Sequence, residues 1–144
     1  MKSQMVVGVD GSEHANRALK WCAEHAAALD AEVVLVPVAE ILGFGPSMGP
    51  YNTSSPPLTD DEVEEMRERV TRGWCRVLAD AGVNFRVVVR EGSPAPMLIE
   101  IARTEGAELV VTGRRGRGGS AELLLGSTNH QLAHHVDRPL VIVP

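Results

Sequence analysis

The stretch QMVVGVDGS, from Gln4 to Ser12, decides the fold class. Its apolar residues lack the polar alternation of a half-exposed strand, so we expect both faces of this strand to be covered. A strand buried on both faces belongs in the middle of a parallel sheet that carries helices on either side. The stretch ends in Asp10, Gly11 and Ser12, so a carboxylate stands at the carboxyl end of a central strand.

Outward from this strand, further apolar runs alternate with amphipathic segments. The predicted strands are Gln4–Asp10, Ala31–Glu40, Asn84–Glu91, Ala107–Gly113 and Arg138–Pro144. Parallel neighbours need crossover connections, which are usually helices. We therefore predict an α/β fold with a doubly wound, five-stranded parallel sheet and helices on both faces. If the fourth strand lies beside the first, opposite the second, the strand order is 3-2-1-4-5.

Local signals mark where the helices begin and end. Ser12–Asp30 has apolar residues at helical spacing. The TDDE at Thr59–Glu62 is a capping box that opens a helix, and Gly82 ends it. Ser93 and Pro94 form an N-cap and N1 pair that opens a third helix.

The length of 144 residues fits one domain, residues 1–144. Ile41–Leu58 contains three glycines and four prolines and has no periodicity. A loop of this length in a small domain is a lid, a binding loop or a disordered excursion.

Composition excludes several classes of protein. The net charge of -5 and the small number of aromatic residues argue against a nucleic-acid partner. The N-terminal residues lack an apolar run long enough for a signal peptide or a membrane span. Cys22 and Cys75 lie in helical patterns, which favours reduced, buried thiols and a cytoplasmic location.

The candidate site lies where the winding of the sheet reverses. In open parallel sheets, ligands bind beyond the carboxyl ends of the strands at this point. With the order 3-2-1-4-5, the reversal falls between Asp10 and Gly113. The Asp10 carboxylate could accept hydrogen bonds from ribose hydroxyls, or it could cap the following helix, and spacing alone leaves both open.

The stretch GRRGRGGSAELLLGST, from Gly113 to Thr128, has the composition of a phosphate site. It is not a P-loop, because Gly119 stands where the lysine is required, and it lacks the third glycine of a dinucleotide fingerprint. Two features remain: glycines that allow close backbone approach, and Gly126, Ser127 and Thr128 at a helix start. The alternative is a glycine-rich surface loop.

The residues of this stretch carry a resemblance to a known family. Gly113-x2-Gly116-x9-Gly126-Ser127 matches the nucleotide-binding signature G-x2-G-x9-G-[ST] of the universal stress protein family. Val9–Ser12 and Arg138–Pro144 resemble the first-strand ending and the final strand of that family. The similarity spans nearly the whole chain. It implies a Rossmann-like sheet of the adenine nucleotide alpha hydrolase-like type, ATP binding, and a homodimer joined through the last strand, Leu140–Val143.

The resemblance also implies roles for individual residues. Asp10 would bind the ribose, and Val9 and Val38 would border the adenine. The phosphates would be held by Gly113, Gly116, Gly126, Ser127 and Thr128. Among Arg114, Arg115 and Arg117, we expect one to contact phosphate, with Arg114 and Arg117 as the candidates. Valine in place of Gly113 or Gly126 should abolish ATP binding and leave the fold intact.

Alternatives to a regulatory ATP-binding protein stay open. The ligand could be AMP, ADP or cyclic AMP, and Mg²⁺ could accompany the ATP phosphates. A slow ATPase or phosphotransferase would need a base or charge stabilisation that the motif does not supply, so we expect no catalytic residues. An interaction module with an idle site is a third alternative. His130 and His134 have zinc-ligand spacing, but further ligands are missing, so no protein metal site is expected.

Overall fold

The structure is a computed structural model, and it describes residues 2–38, 57–114 and 126–144. Within these ranges the strands are β1 Ser3–Val9, β2 Ala31–Pro37, β3 Phe85–Val87, β4 Leu109–Gly113 and β5 Leu140–Val143. The helices are α1 Glu13–His25, α2 Asp60–Arg72, α3 Arg76–Asp80, α4 Pro94–Glu105 and α5 Ser127–His135.

The five strands form one parallel sheet in the order β3-β2-β1-β4-β5. The predicted order 3-2-1-4-5 is therefore confirmed. β1 lies at the centre because its residues can be buried on both faces: Val6 and Val7 are each fully buried although they point to opposite sides. The predicted Ile41–Leu58 loop falls almost entirely outside the described residues.

Apolar side chains cover both faces of the sheet. Met5, Val7 and Val9 pack on the face covered by α1, α2 and α3, and Val6 packs on the face covered by α4 and α5. This alternation follows from the period of two along a strand. The two covered faces leave the strand ends as the place where polar groups can meet a ligand.

α2 and α4 begin where the sequence predicts, although the Ser93 side chain at the N-cap of α4 makes no capping hydrogen bond. The Thr59 hydroxyl accepts from the Glu62 N–H at 3.2 Å, and the Glu62 carboxylate accepts from the Thr59 N–H at 2.7 Å. Pro94 begins α4, and Gly106 ends it with a φ of 65°, a conformation that favours glycine. The capping box is thus confirmed.

One predicted helix is interrupted. The segment expected to run unbroken from Thr59 to Gly82 divides into α2 and α3, with a break between Gly73 and Cys75. The Cys75 N–H donates to the Val70 carbonyl at 3.1 Å, one residue further back than a regular helix turn requires. Cys75 is fully buried, so the break brings its side chain into the core.

Candidate functional site at the carboxyl ends of β1 and β4

Asp10 directly follows β1, and the residue is 6% exposed. Its Oδ1 accepts a hydrogen bond from the Ser12 N–H at 2.9 Å. Ser12, not Asp10, is the N-cap of α1, and its hydroxyl accepts from the Ala15 N–H at 3.2 Å. Gly11 between them has a φ of 80°. The Asp10 carboxylate therefore stabilises the turn that places Ser12 at the N-cap of α1.

Val9 and Val38 lie together next to Asp10. The Val38 N–H donates to the Val9 carbonyl at 2.8 Å, just beyond the last residue of β2. Val9 is buried, whereas Val38 is half-buried and packs against the core on the α4 face. Val9 itself packs on the face covered by α1, so the two valines predicted to border an adenine are joined through their backbones and have side chains on opposite faces of the sheet.

Gly113 ends β4 at the same side of the sheet, where the carboxyl ends of the strands lie. Val7 lies opposite Val111 in the register between β1 and β4, so the residues that follow these two strands emerge side by side. A Cβ on Gly113 would lie 2.5 Å from the carbonyl carbon and oxygen of His14 in the first turn of α1. Gly113 is required here for close packing of β4 against a helix. The expectation that valine at this position leaves the fold intact is therefore wrong on steric grounds.

The two ends of the glycine-rich stretch are hydrogen-bonded to each other. The Gly126 N–H donates to the Arg114 carbonyl at 3.4 Å, and the Arg114 N–H donates to the Val143 carbonyl of β5 at 2.7 Å. The Arg114 residue is exposed. Gly116 and Arg117 lie outside the described residues, as does Arg115.

Gly126, Ser127 and Thr128 form the start of α5. Gly126 is the N-cap, and within the described ranges no side chain caps this helix. Ser127 is exposed and Thr128 is half-buried. A helix start of this kind presents backbone N–H groups and the positive end of the helix dipole, which attract an anion.

Asn129 also lies at the carboxyl ends of the strands, and the sequence analysis did not predict it as a site residue. It is the third residue of α5 and is 3% exposed. Its amide nitrogen donates to the Gly113 carbonyl at 2.7 Å and to the Arg114 carbonyl at 3.0 Å. Its amide oxygen accepts from the Thr112 hydroxyl at 2.6 Å. A polar residue two positions after the Gly126–Ser127 pair was the available signal.

Comparisons with known proteins identify the family and the fold. A family model described as the universal stress protein family matches residues 1–144. The chain belongs to the universal stress protein family. A universal stress protein of Mycolicibacterium smegmatis is 31% identical over 144 residues, which cover 96% of this chain and 47% of that protein. The chain thus spans about half the length of this relative.

Solved universal stress proteins share the fold. One determined in complex with cAMP has a TM-score of 0.66 and 25% identity, with 99% of this chain and 97% of that chain covered. The universal stress protein from Archaeoglobus fulgidus in complex with dAMP has a TM-score of 0.68 and 18% identity, with 99% and 98% covered. At 18% identity, the likeness to the Archaeoglobus fulgidus protein shows a shared fold alone.

His130 and His134 of this universal stress protein have the spacing of zinc ligands on α5. His130 and His134 are exposed, and their ring centroids are 4.7 Å apart. The residues that the structure describes contain no group of three or more His, Cys, Asp or Glu side chains able to hold a metal ion. Across the same residues, no helix combines the length and the apolar character that crossing a bilayer requires.

Proposed function

We propose that this universal stress protein binds ATP at the carboxyl ends of β1 and β4 and acts as a regulatory nucleotide-binding protein. The observation that carries the proposal is the convergence of Asp10 with Gly113 and Gly126 at the reversal point of the sheet. In open parallel sheets this crevice is where ligands bind.

Asp10 is the proposed ribose-binding residue. Its carboxylate is buried at the strand end, and an ionised carboxylate accepts hydrogen bonds through two oxygens. The Ser12 N–H fixes the orientation of the group through Oδ1. Val9 and Val38 are proposed to border the adenine: Val38 through its half-buried side chain, and Val9, whose side chain is buried on the α1 face, through its backbone.

The phosphates are assigned to the start of α5. The N–H groups after Gly126 and the hydroxyls of Ser127 and Thr128 are donors near the end of β4. Gly113 and the signature residues Gly116, Arg114 and Arg117 complete the proposed set. When bound, Mg²⁺ would be held by phosphate oxygens, since the described residues supply no cluster of metal ligands.

The choice among adenine nucleotides rests on the phosphate chain. The solved relatives in complex with dAMP and cAMP support an adenine nucleotide as the class of ligand. ATP is proposed because the complete G-x2-G-x9-G-[ST] signature provides donors for more than one phosphate. AMP, ADP and cyclic AMP are the competing ligands in the test.

The test is calorimetric titration of the purified chain with ATP, ADP, AMP and cyclic AMP. We expect ATP to bind most tightly. Asp10→Asn should weaken ATP binding by roughly 10-fold or more, because it removes a charged acceptor but keeps an amide oxygen for the Ser12 N–H. Asp80→Asn, at an exposed position in α3, is the matched control. Absence of binding by any of the four nucleotides to the folded protein would refute the proposal.

We also propose a homodimer joined through β5. β5 is the edge of the sheet beside β4, and all four of its residues are half-buried in the isolated chain. An apolar edge strand presents unpaired backbone groups to another chain. Ile142→Lys should shift the sedimenting species from dimer to monomer, and a wild-type monomer at micromolar concentration would contradict the assignment.

The remaining proposals concern organisation and compartment. Residues 1–144 are proposed to form a single domain, since strands from all three described ranges join one sheet. The cytoplasm is proposed as the compartment, because Cys22 and Cys75 are free thiols in the core.

A further inference from the structure

Asn129 is buried, and both the nitrogen and the oxygen of its side-chain amide are hydrogen-bonded. The two carbonyl oxygens of Gly113 and Arg114 can only accept hydrogen bonds, so they fix the amide nitrogen on their side. The amide oxygen then faces the Thr112 hydroxyl, which donates to it. The reversed amide would place an oxygen against two oxygens, so the orientation of the side chain is determined.

These bonds join the two sides of the glycine-rich stretch. Thr112 and Gly113 belong to β4, and Asn129 belongs to the first turn of α5. The Arg114 carbonyl accepts from both the Asn129 amide and the Gly126 N–H. The Asn129 side chain, together with this backbone bond, therefore fixes the distance between the end of β4 and the N–H groups that begin α5.

The electrostatic consequence concerns the carbonyl groups. A carbonyl oxygen carries partial negative charge and repels a phosphate, whereas an N–H group attracts it. The Gly113 and Arg114 carbonyls stand at the end of β4, where the phosphate chain is proposed to pass. The buried Asn129 amide nitrogen donates to both carbonyl oxygens and so offsets their partial negative charge.

We infer that Asn129 is a positioning residue of the phosphate subsite. It holds the Gly113 and Arg114 carbonyls away from the phosphates and sets the start of α5 at the distance that the phosphates require. The inference rests on the proposed nucleotide binding. Asn129 itself does not touch the ligand, so its effect should grow with the number of phosphates.

The test compares ATP with adenosine, which keeps the base and ribose and lacks phosphate. Asn129→Asp places a carboxylate against the two carbonyls, and Asn129→Ser keeps one donor and serves if the first variant does not fold. We expect Asn129→Asp to weaken ATP binding by ~10-fold or more and to change adenosine binding by less than ~2-fold. Asn129→Ser should give an intermediate loss for ATP.

The matched control is Thr112→Val, which removes the hydroxyl partner and leaves both bonds to the carbonyls. It should lower the melting temperature and leave the ratio of ATP to adenosine affinity unchanged. Equal losses for ATP and adenosine in the Asn129 variants, or wild-type ATP affinity, would overturn the inference alone. A wild-type chain that binds neither ligand would overturn the proposed function, and the inference with it.

Discussion

Gly113 lies in direct contact with the backbone of His14, at the point where β4 meets the first turn of α1. A Cβ at Gly113 would stand 2.5 Å from the His14 carbonyl carbon and oxygen and 2.9 Å from the Ala15 nitrogen. Backbone atoms cannot rotate away as a flexible side chain can. The glycine that begins the signature thus has a packing role that exists without any ligand.

Gly113→Ala should lower the free energy of unfolding by about 1–3 kcal/mol, because β4 or α1 must shift to admit the methyl group. Urea denaturation measures the change. Gly73→Ala is the control, since the nearest atom to its Cβ, the Arg69 carbonyl oxygen, is 3.3 Å away. Equal stability of Gly113→Ala and wild type would show that the contact relaxes without cost.

Gly126→Val separates nucleotide binding from folding. The φ of -58° and ψ of 156° at Gly126 suit any residue, so the fold should persist. A branched side chain beside the first N–H groups of α5 should block phosphate approach and weaken ATP binding by at least ~10-fold. Calorimetry and the melting temperature measure the two effects. Unchanged ATP affinity would remove Gly126 from the site.

Glu105 should make stability depend on acid pH. Its hydrogen bonds from Arg86 hold the pKa of Glu105 below the ordinary value of 4.5. A carboxylate with a lowered folded pKa contributes stability above its unfolded pKa and loses it as the pH falls through the folded value. The stability difference between wild type and Glu105→Gln should therefore shrink as the pH falls from 7 to about 3, as urea denaturation would measure.

Exposed Glu65 provides the control for Glu105, because Glu65→Gln removes one charge from α2 without disturbing an Arg86 contact. A stability difference between wild type and Glu105→Gln that stays constant with pH would contradict the prediction.

Cys22 and Cys75 should resist alkylation in the native protein. Burial raises the pKa of Cys22 to about 12 and that of Cys75 to about 11. At pH 8 the thiolate fraction is then on the order of 0.1% or less, and the thiolate is the reactive species. Mass spectrometry after iodoacetamide treatment should show both thiols unmodified in buffer and both modified in urea. Rapid native modification of either would contradict the assigned burial.

The sheet could be predicted from the sequence because its signals are local. The unbroken apolar run of β1, the Thr59 capping box and the Ser93–Pro94 pair each act through neighbouring residues. The strand order was predicted on the condition that the fourth strand lies beside the first, and the structure meets that condition. Asp10 and Gly126 could be proposed as site residues for the same reason, since each lies at a predicted strand end or helix start.

The parts that were missed depend on contacts between distant segments. The break before Cys75 serves the burial of that side chain, which helical periodicity does not reveal. The bonds of Asn129 go to backbone carbonyls, and every residue has a carbonyl, so no residue type marks the partner. Gly113 was recognised as a motif glycine, but its neighbour in α1 could not be read from spacing.

The hydrogen bond from the Arg114 N–H to the Val143 carbonyl has a consequence for the order of assembly during synthesis. β4 emerges from the ribosome before α5, and β5 follows both. Until β5 docks, the Arg114 N–H lacks its backbone acceptor, so a nascent chain without β5 holds the end of β4 less firmly. A nucleotide that needs the end of β4 in its final geometry would therefore favour chains in which β5 has docked over chains in which it has not.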